Sequence, residues 1–309
     1  MRQFSGEGRP ADPPHSGERG DAALFTPPFE VIEPARLLSP LVFNSPHSGA
    51  AYPKAFLDAS RLDALTLRRS EDAFVDELYL RCVDLGAPLM RAHFPRAFLD
   101  VNREPFELDP QMFAGRLPGF VNVRSLRVAG GLGTIPRVVG DAQPIYKAPM
   151  RVDDGLGRIA TLYRPYHAQL GALVDRAVKN FGLAVLIDCH SMPSHLNEGV
   201  APDFVLGDRF GVSAAASIVD AMETWLRGAG YFVRRNKPYA GGFITEHYGA
   251  PNRGIHAIQI EISRNLYMDE GKMAKKPEWT QVCDNLYRLA SAISRQLDIA
   301  SSRPALAAE

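Results

Sequence analysis

The sequence predicts a single-domain α/β protein with a central β-sheet, and three observations lead to this fold class. Leu183 to Ile187 are consecutive apolar residues, a run typical of a strand buried on both faces. A similar run, Leu41 to Phe43, also ends in a polar turn. Between these runs, residues 155–180 repeat apolar side chains at helical spacing, so that strand, helix and strand alternate. No linker-like composition interrupts residues 26–300, which we expect to form one domain.

The other elements are predicted from the same two periodicities. Order is expected to begin near residues 29–33, and strands are expected at residues 41–44, 88–92, 183–187, 231–234 and 257–263. Helices are expected at residues 70–83, 155–180, 213–228 and 279–297. Residues 104–150 are typical of a long loop, and their Gly-rich piece at 130–137 lacks the glycine spacing of a nucleotide-binding motif. We therefore expect that piece to line a pocket rather than to bind phosphate.

Composition argues against several classes of protein. The chain has 309 residues with 35 basic and 35 acidic side chains, so its charge does not favour a nucleic-acid or anionic-membrane partner. Its cysteines, Cys82, Cys189 and Cys283, lack metal-type spacing and fit a reducing compartment. No apolar run has the length of a transmembrane helix, and no signal peptide is recognisable. We expect a soluble cytoplasmic protein with flexible polar tails at residues 1–25 and 301–309.

Polar side chains at strand ends predict the functional site. His190 follows the apolar run 183–187, His47 follows the strand before it in the chain, and Glu261 lies in the last predicted strand. Ligands of open α/β sheets bind at the carboxyl ends of strands, where such side chains meet. Two histidines and a glutamate are typical of a metal-hydrolase site. For His190 alone, a core histidine bonded to Asp188 is an equally good interpretation.

The neighbouring charged residues have two interpretations each. Asp72 and Asp76 lie four residues apart near the start of the helix predicted at 70–83, where they either serve the site or cap a solvated helix. The segment 96–103 carries two arginines that either clamp a ligand carboxylate or form an internal ion pair with Asp100.

Six motifs, in the same order along the chain, resemble the N-formylglutamate amidohydrolase family. They are S-P-H-S-G at 45–49, E-D-A-F-V-D-E-L-Y at 71–79, R-A-F-L-D-V-N-R at 96–103, D-C-H-S-M-P at 188–193, N-K-P-Y-A-G-G at 236–242 and Q-I-E-I-S-R-N-L-Y at 259–267. The resemblance implies a phosphorylase/hydrolase-like three-layer α/β/α fold with a mixed central sheet. It also implies hydrolysis of N-formyl-L-glutamate to formate and L-glutamate by metal-activated water, a step of histidine degradation.

The resemblance further implies a metal centre. His47 and His190 would be ligands of one zinc ion per chain. Zinc carboxypeptidases, which belong to the wider superfamily, have a glutamate three residues after the first histidine, whereas this chain has Ala50 there. We therefore expect Asp72 to complete the ligand set, with Asp76 as the alternative.

Catalytic and substrate-binding roles follow from the same resemblance. Glu261 would take a proton from the attacking water and pass it to the leaving amine, while Arg96 would face the developing oxyanion. The D-V-N-R segment that contains Asn102 and Arg103 resembles the D-L-N-R of related acyl-amino-acid hydrolases, in which the Asn-Arg pair holds substrate, with Val101 here in place of the usual leucine.

Further substrate contacts are expected from two loops. A second substrate carboxylate would bind Arg137 or Arg264, although an ion pair of Arg264 with Glu261 or Asp269 is the alternative. In the loop at 236–242, we expect Tyr239 and Gly241 to contact the substrate, because glycines bring backbone N–H groups close to a ligand.

Two other functions remain open at this point. The chain is either a hydrolase of another N-acyl amino acid or of a peptide terminus, or a non-catalytic relative that binds its ligand. In each case the expected partner is a small molecule, and the protein would be a monomer or a small homo-oligomer.

Overall fold

The computed structural model describes residues 24–195 and 201–301 and has the predicted mixed α/β fold. In this part of the chain the central sheet has seven strands: β1 Phe29–Ile32, β2 Leu41–Ser45, β3 Leu89–Ala92, β4 Ala184–Met192, β5 Phe204–Gly207, β6 Val233–Arg235 and β7 Ile255–Ser263. Their order across the sheet is β1-β3-β2-β4-β7-β5-β6. The pairs β1/β3 and β5/β7 are antiparallel and the other pairs are parallel, so the sheet is mixed, as predicted.

Helices cover both faces of this sheet. They are α1 Lys54–Ala59, α2 Ala64–Arg68, α3 Val75–Tyr79, α4 Leu126–Ala129, α5 Val152–Arg158, α6 Arg164–Phe181, α7 Ala216–Gly228, α8 Phe243–Tyr248 and α9 Trp279–Ser301. Short 3₁₀ turns lie at Leu80–Leu85, Pro110–Met112, Gly140–Ala142, Pro251–Arg253 and Arg264–Leu266.

The core has two halves because successive strand residues face opposite sides of the sheet. Leu41 and Phe43 of β2 pack with α3, α7 and α9 on one side. Val42 of β2 and Leu186 of β4 pack with α6 and the preceding turns on the other side. The result is the three-layer α/β/α arrangement expected from the resemblance.

The helix predicted at 155–180 forms, but in three pieces. A π-helical turn, Ile159–Tyr163, joins α5 to α6. Pro165 lies in the first turn of α6, directly after the π-helical turn.

The long connection at 104–150 is made of short elements that periodicity does not reveal. Two-residue strands pair as Phe113–Ala114 with Met150–Arg151 and as Val138–Val139 with Gln143–Pro144. A third such pair, Met268–Asp269 with Ala274–Lys275, follows β7.

Two predicted elements differ from the structure by five residues at one end, and both differences concern the site. β4 does not end at Ile187 but continues to Met192, because its polar residues find hydrogen-bond partners inside the protein. The helix expected at 70–83 begins only at Val75, after Phe74 adopts a left-handed φ of 66°. Asp72 therefore precedes the helix and does not share a helical face with Asp76.

The predicted tails fall largely outside the described residues, which leave out 1–23 and 302–309. Phe25, at the inner end of the tail expected at 1–25, is buried and packs against Phe94 and Phe98. Among the described helices none is long and apolar enough to cross a membrane.

Candidate active site

A strip of buried polar side chains crosses three neighbouring strands on one face of the sheet. Asn44 on β2, Asp188 and His190 on β4, and Gln259 and Glu261 on β7 occupy this strip. The strand register pairs Asn44 with Asp188, Asp188 with Gln259, and His190 with Glu261. The face is apolar over the earlier half of these strands and polar toward their carboxyl ends, which is the edge where the sequence placed the site.

His47 and Asp72 reach the strip from loops. His47 lies two residues beyond β2, and its carbonyl oxygen accepts a hydrogen bond of 3.0 Å from the Asp72 backbone N–H. The left-handed conformation of Phe74 then turns the chain into α3. Ligand atoms of His47, Asp72 and His190 all lie within 4.8 Å of one another, and all three residues are buried.

In both histidines, Nδ1 points toward this cluster, and a hydrogen bond at Nε2 holds the ring in place. The Nε2 of His47 is 2.7 Å from Asp100 Oδ1, and the Nε2 of His190 is 2.9 Å from Asp188 Oδ2. Since a carboxylate can only accept, each Nε2 carries a proton, and a metal ion at the cluster would bind the deprotonated Nδ1 of each ring. A carboxylate behind a ligating imidazole is the usual arrangement in metal sites.

The two carboxylate oxygens of Asp72 also have different partners. Its Oδ2 lies 2.9 Å from His190 Nδ1 and 3.4 Å from His47 Nδ1. Its Oδ1 accepts from Ser191 Oγ at 3.3 Å and from Arg264 Nη2 at 3.4 Å. One oxygen therefore faces the cluster while the other is held by the protein.

This donor set fits a divalent metal ion. Two imidazole nitrogens and a carboxylate oxygen are the ligands of many catalytic zinc sites, which keep a further position open. Within the described part of the chain, His47 Nδ1 is buried and has no hydrogen-bond partner. A buried polar atom without a partner is costly, and a bound cation would satisfy it.

Electrostatics around the cluster favour positive charge at its centre. Burial acts to raise the pKa of Asp72, but the neighbouring imidazoles of His190 and His47 outweigh it and hold that pKa well below its ordinary value. Burial lowers the pKa of His190, whereas Asp188 and Asp72 outweigh burial and raise it well above its ordinary value. The same carboxylates would favour a metal cation.

Glu261 is the predicted proton acceptor, and its environment differs from that of Asp72. Burial, together with the charge of Asp72, raises the pKa of Glu261 to about 7, against the opposing effect of His190 and Arg96. Its Oε1 accepts a hydrogen bond of 2.7 Å from Gln259 Nε2.

The cluster opens into a cavity of about 570 Å³. Of the eleven residues predicted for the site, ten line this cavity, namely His47, Asp72, Arg96, Asn102, Arg103, His190, Tyr239, Gly241, Glu261 and Arg264. The exception is Arg137, whose Nε donates to Asp109 Oδ2 at 2.6 Å. The prediction that Arg137 binds substrate is therefore corrected, because its guanidinium is engaged by Asp109 and does not face the cavity.

The segment 96–103 forms the internal ion pair, and its two arginines also line the cavity. Arg96 lines the cavity while its Nη2 donates to Asp100 Oδ2 at 2.8 Å. Arg103 donates to the carbonyl oxygens of Leu132 and Asn102, at 2.9 Å each, and also faces the cavity. The internal ion pair exists, and both guanidinium groups still border the space where a substrate would lie.

Asn102 is engaged within the protein more fully than predicted. Its Oδ1 accepts from the Ile244 backbone N–H at 2.8 Å, and its Nδ2 donates to Asp188 Oδ2 at 3.2 Å. It joins the start of α8 to the carboxylate behind His190, so its direct contribution is to hold the site together.

Arg264 is paired, but with neither of the expected partners. Its Nη2 donates to the Glu71 carbonyl oxygen at 2.6 Å and approaches Asp72 Oδ1, and its Nη1 lies 3.8 Å from Glu270. Its side chain is 10% exposed. This guanidinium stabilises the candidate ligand Asp72 rather than offering a free group to the substrate.

Asp76, the alternative third ligand, lies outside the cluster. Its Oδ2 accepts from Arg91 Nη1 at 2.8 Å. Of the two carboxylates considered, the geometry favours Asp72.

The glycine-containing loops form the cavity wall, as expected. Leu132, Pro136 and Gly140 line it from the connection at 104–150, and residues 238–242 line it from the other loop. Gly241 has a φ of +110°, which L side chains rarely adopt.

Several residues of the site were not predicted. Asp188 and Gln259 each lie two positions before a predicted residue on the same strand, and the two-residue period of a strand was the signal that placed them on the same face. Arg69, Arg127 and Arg209 also line the cavity, but no local pattern distinguishes them from surface arginines.

Comparison with known proteins agrees with this geometry. The sequence profile of the N-formylglutamate amidohydrolase family matches residues 39–268. An N-formylglutamate deformylase of Pseudomonas aeruginosa is 31% identical over 247 residues, covering 78% of this chain and 86% of that protein. A protein of the same name from Pseudomonas putida is 30% identical over 237 residues, covering 75% of this chain and 82% of that protein.

Solved structures show the same relationship. The crystal structure of N-formylglutamate amidohydrolase from Ralstonia eutropha superimposes with a TM-score of 0.83 at 34% identity, covering 88% of this chain and 99% of that one. A gene product of Agrobacterium tumefaciens has a TM-score of 0.63 at 19% identity, covering 90% of this chain and 99% of that one, and shows the shared fold alone. By profile, sequence and structure, the chain belongs to the N-formylglutamate amidohydrolase family.

Proposed function

We propose that this protein hydrolyses N-formyl-L-glutamate to formate and L-glutamate, with a zinc ion held by His47, Asp72 and His190. The observation that carries the proposal is the buried cluster of these three ligands beside Glu261, in a cavity rich in arginine. The names of the relatives from Pseudomonas and Ralstonia supply the substrate.

The charge of the cavity supports a dicarboxylate substrate. Among the described residues, six arginines line it, against the three carboxylates of Asp72, Asp100 and Glu261. N-formylglutamate carries two carboxylates, and burying each without a cationic partner costs several kcal/mol. An excess of guanidinium groups offsets that cost.

Each residue has a distinct part in the reaction. The bound zinc would polarise the formyl carbonyl and lower the pKa of a water molecule. Glu261 accepts the proton of the attacking water and delivers it to the amine nitrogen as the C–N bond breaks. Arg96, held by Asp100, faces the oxygen of the carbonyl as it gains negative charge.

Two arginines are proposed to hold the substrate carboxylates. Arg103 takes one, because its guanidinium is fixed by two backbone carbonyls and borders the cavity. Arg209 takes the other in place of Arg137. Its ion-pair partner, Glu246, has a side chain that is 60% exposed, and such an exposed pair is weak enough to be exchanged for a substrate carboxylate.

The experiment is a panel of substrates assayed with purified protein that contains zinc. Release of formate and glutamate from N-formyl-L-glutamate should exceed release from N-acetylglutamate, from other N-formyl amino acids and from short peptides. Faster turnover of another member would identify a hydrolase of a different N-acyl amino acid or of a peptide terminus. Zinc binding without turnover of any member would identify a non-catalytic relative.

A further inference from the structure

We infer that Gln259 is a positioning residue for the catalytic carboxylate: it holds Oε1 of Glu261 and leaves Oε2 for proton transfer. The inference deepens the proposed function and depends on it. It concerns a buried side chain to which the sequence motifs assign no role.

Gln259 and Glu261 are two residues apart on β7, and their side chains therefore lie on the same face of the sheet. Gln259 is 5% exposed and Glu261 is 6% exposed. The Gln259 Nε2 donates to Glu261 Oε1 at 2.7 Å. A hydrogen bond of this length between two buried groups restricts the rotation of the carboxyl group.

The orientation of the Gln259 amide is set by a second hydrogen bond. The backbone N–H of Gly242 donates to Gln259 Oε1 at 2.8 Å. A backbone N–H can only donate, so the amide oxygen must face Gly242 and the amide NH₂ must face Glu261. The amide cannot flip without losing both bonds.

This arrangement makes the two oxygens of Glu261 unequal. Oε1 already receives an N–H, and a proton on Oε1 would oppose that donor. Any proton that Glu261 carries during the reaction therefore resides on Oε2. Proton transfer requires a short, fixed distance between donor and acceptor. A base that uses a single oxygen atom can be held at that distance from both the water and the leaving nitrogen.

The second bond also fixes the amide to a rigid part of the cavity wall. A Cβ at Gly242 would lie 2.4 Å from Asn102 Oδ1, so only glycine allows this close approach. The same Asn102 oxygen accepts the N–H of Ile244, at the start of α8. Gln259 thus connects Glu261, through hydrogen bonds, to the loop at 238–242, which packs against Asn102.

A purely structural role makes a different prediction. If Gln259 only fills a buried polar position, its loss would lower stability and would affect turnover whether or not Glu261 can act as a base. If it acts through Glu261, its loss would matter only while Glu261 is a carboxylate.

The test is a double-mutant cycle with Gln259→Met and Glu261→Gln. Each variant is assayed on N-formyl-L-glutamate at steady state for kcat and KM, and also under single-turnover conditions with enzyme in excess where rates are slow. Zinc content and Tm are recorded for each. Gln259→Met should lower kcat by roughly 10- to 100-fold, with KM within about threefold and zinc retained. In the Glu261→Gln background, Gln259→Met should lower the rate of turnover by less than about twofold.

The matched control is Ser213→Ala. Ser213 Oγ donates to the Ala257 carbonyl oxygen at 2.8 Å, so this variant removes a buried hydrogen bond to β7 away from Glu261. Its Tm should fall while its kcat stays near that of the parent. If Gln259→Met does not fold, Gln259→Ala takes its place in the same cycle.

Two results would overturn the inference: wild-type turnover in the Gln259 variant, or an equal loss in both backgrounds. Failure of the proposed function has a different signature, since the parent protein itself would then release no formate.

Discussion

At the scale of single residues, each candidate metal ligand uses one atom for the cluster and another for its own support. His47 is held by Asp100, His190 by Asp188, and Asp72 by Arg264 and Ser191. Groups fixed in this way lose little conformational freedom when a metal binds, which favours binding.

The choice of third ligand gives the first prediction. Replacing Asp72 by Ala should reduce zinc content to well below one equivalent, because two imidazoles alone bind zinc weakly. Asp76→Ala is the matched control, since Asp76 pairs with Arg91 and lies outside the cluster. Metal analysis after extensive dialysis distinguishes them. Equal retention of zinc by both variants would remove Asp72 from the ligand set.

The support of His47 gives the second prediction. Asp100→Asn should weaken zinc affinity by about 10- to 100-fold, as loss of a carboxylate behind a ligating imidazole generally does. Asp109→Asn is the control, because Asp109 is also buried and paired with an arginine but does not line the cavity. Competition with a chromophoric chelator measures both affinities, and similar values would contradict a supporting role for Asp100.

At this scale, strand geometry explains why residues far apart in the sequence come together. His190 and Glu261 are neighbours because the parallel pairing of β4 and β7 places them opposite each other. The partners of Arg137 and Arg264 could not be predicted. Both arginines lie in connecting segments, and their partners Asp109 and Glu71 are brought close only by the tertiary fold.

At the scale of elements, α6 has a role in the site although none of its residues lines the cavity. His167 of α6 lies 2.8 Å, through Nε2, from the carbonyl oxygen of Val101, within the segment that carries Arg96 and Arg103. Tyr166 OH donates to Asn44 Oδ1 at 2.6 Å. The helix thereby supports both the arginine segment and the polar strip of the sheet.

The burial of His167 gives the third prediction. Burial lowers its pKa from 6.5 to about 4, against the opposing hydrogen bond to Val101, so the folded protein keeps it neutral. Unfolding takes up a proton below pH 6.5, and the stability that depends on the neutral ring is lost as pH falls toward 4. At pH 5 the loss should be about 2 kcal/mol.

Urea unfolding of the parent and of His167→Gln at pH 7.5 and pH 5 measures this loss. The difference in unfolding free energy between the two proteins should narrow by about 2 kcal/mol at the lower pH, since other titrating groups cancel in the comparison. A difference that does not change with pH would mean that His167 is not held neutral.

Long elements were predictable and short ones were not. The helices α6, α7 and α9 repeat apolar residues over several turns, and β2 and β4 each begin with a continuous apolar run. The two-residue strands of the 104–150 connection have no period to detect. The start of α3 depends on the left-handed Phe74, a conformation set by the tertiary fold.

At the scale of the whole molecule, the net charge of the chain differs from the charge of the cavity lining. The chain has equal numbers of acidic and basic residues, yet arginines outnumber carboxylates two to one among the described residues that line the cavity. Composition could not have revealed this, because it depends on which arginines the fold turns inward. The sequence motifs nevertheless identified the family and the fold correctly.

Substrate charge gives the fourth prediction. N-formylglutamate should be preferred over N-formylglutamine by roughly 10- to 100-fold in kcat/KM, the effect of one charge-assisted hydrogen bond of about 1.5–3 kcal/mol. Arg209→Met should remove most of that preference while leaving turnover of the amide substrate. Arg137→Met is the control and should keep the preference. Loss of the preference in Arg137→Met alone would reverse the assignment.

The central claim is that hydrolysis depends on one zinc ion held by His47, Asp72 and His190. The most direct measurement is formate release from N-formyl-L-glutamate by protein stripped with a chelator and then titrated with Zn²⁺. Activity should be lost on stripping and should return in proportion to added zinc up to about one equivalent per chain, whereas Asp72→Ala should not recover. Full turnover by protein shown to contain no metal would contradict the claim.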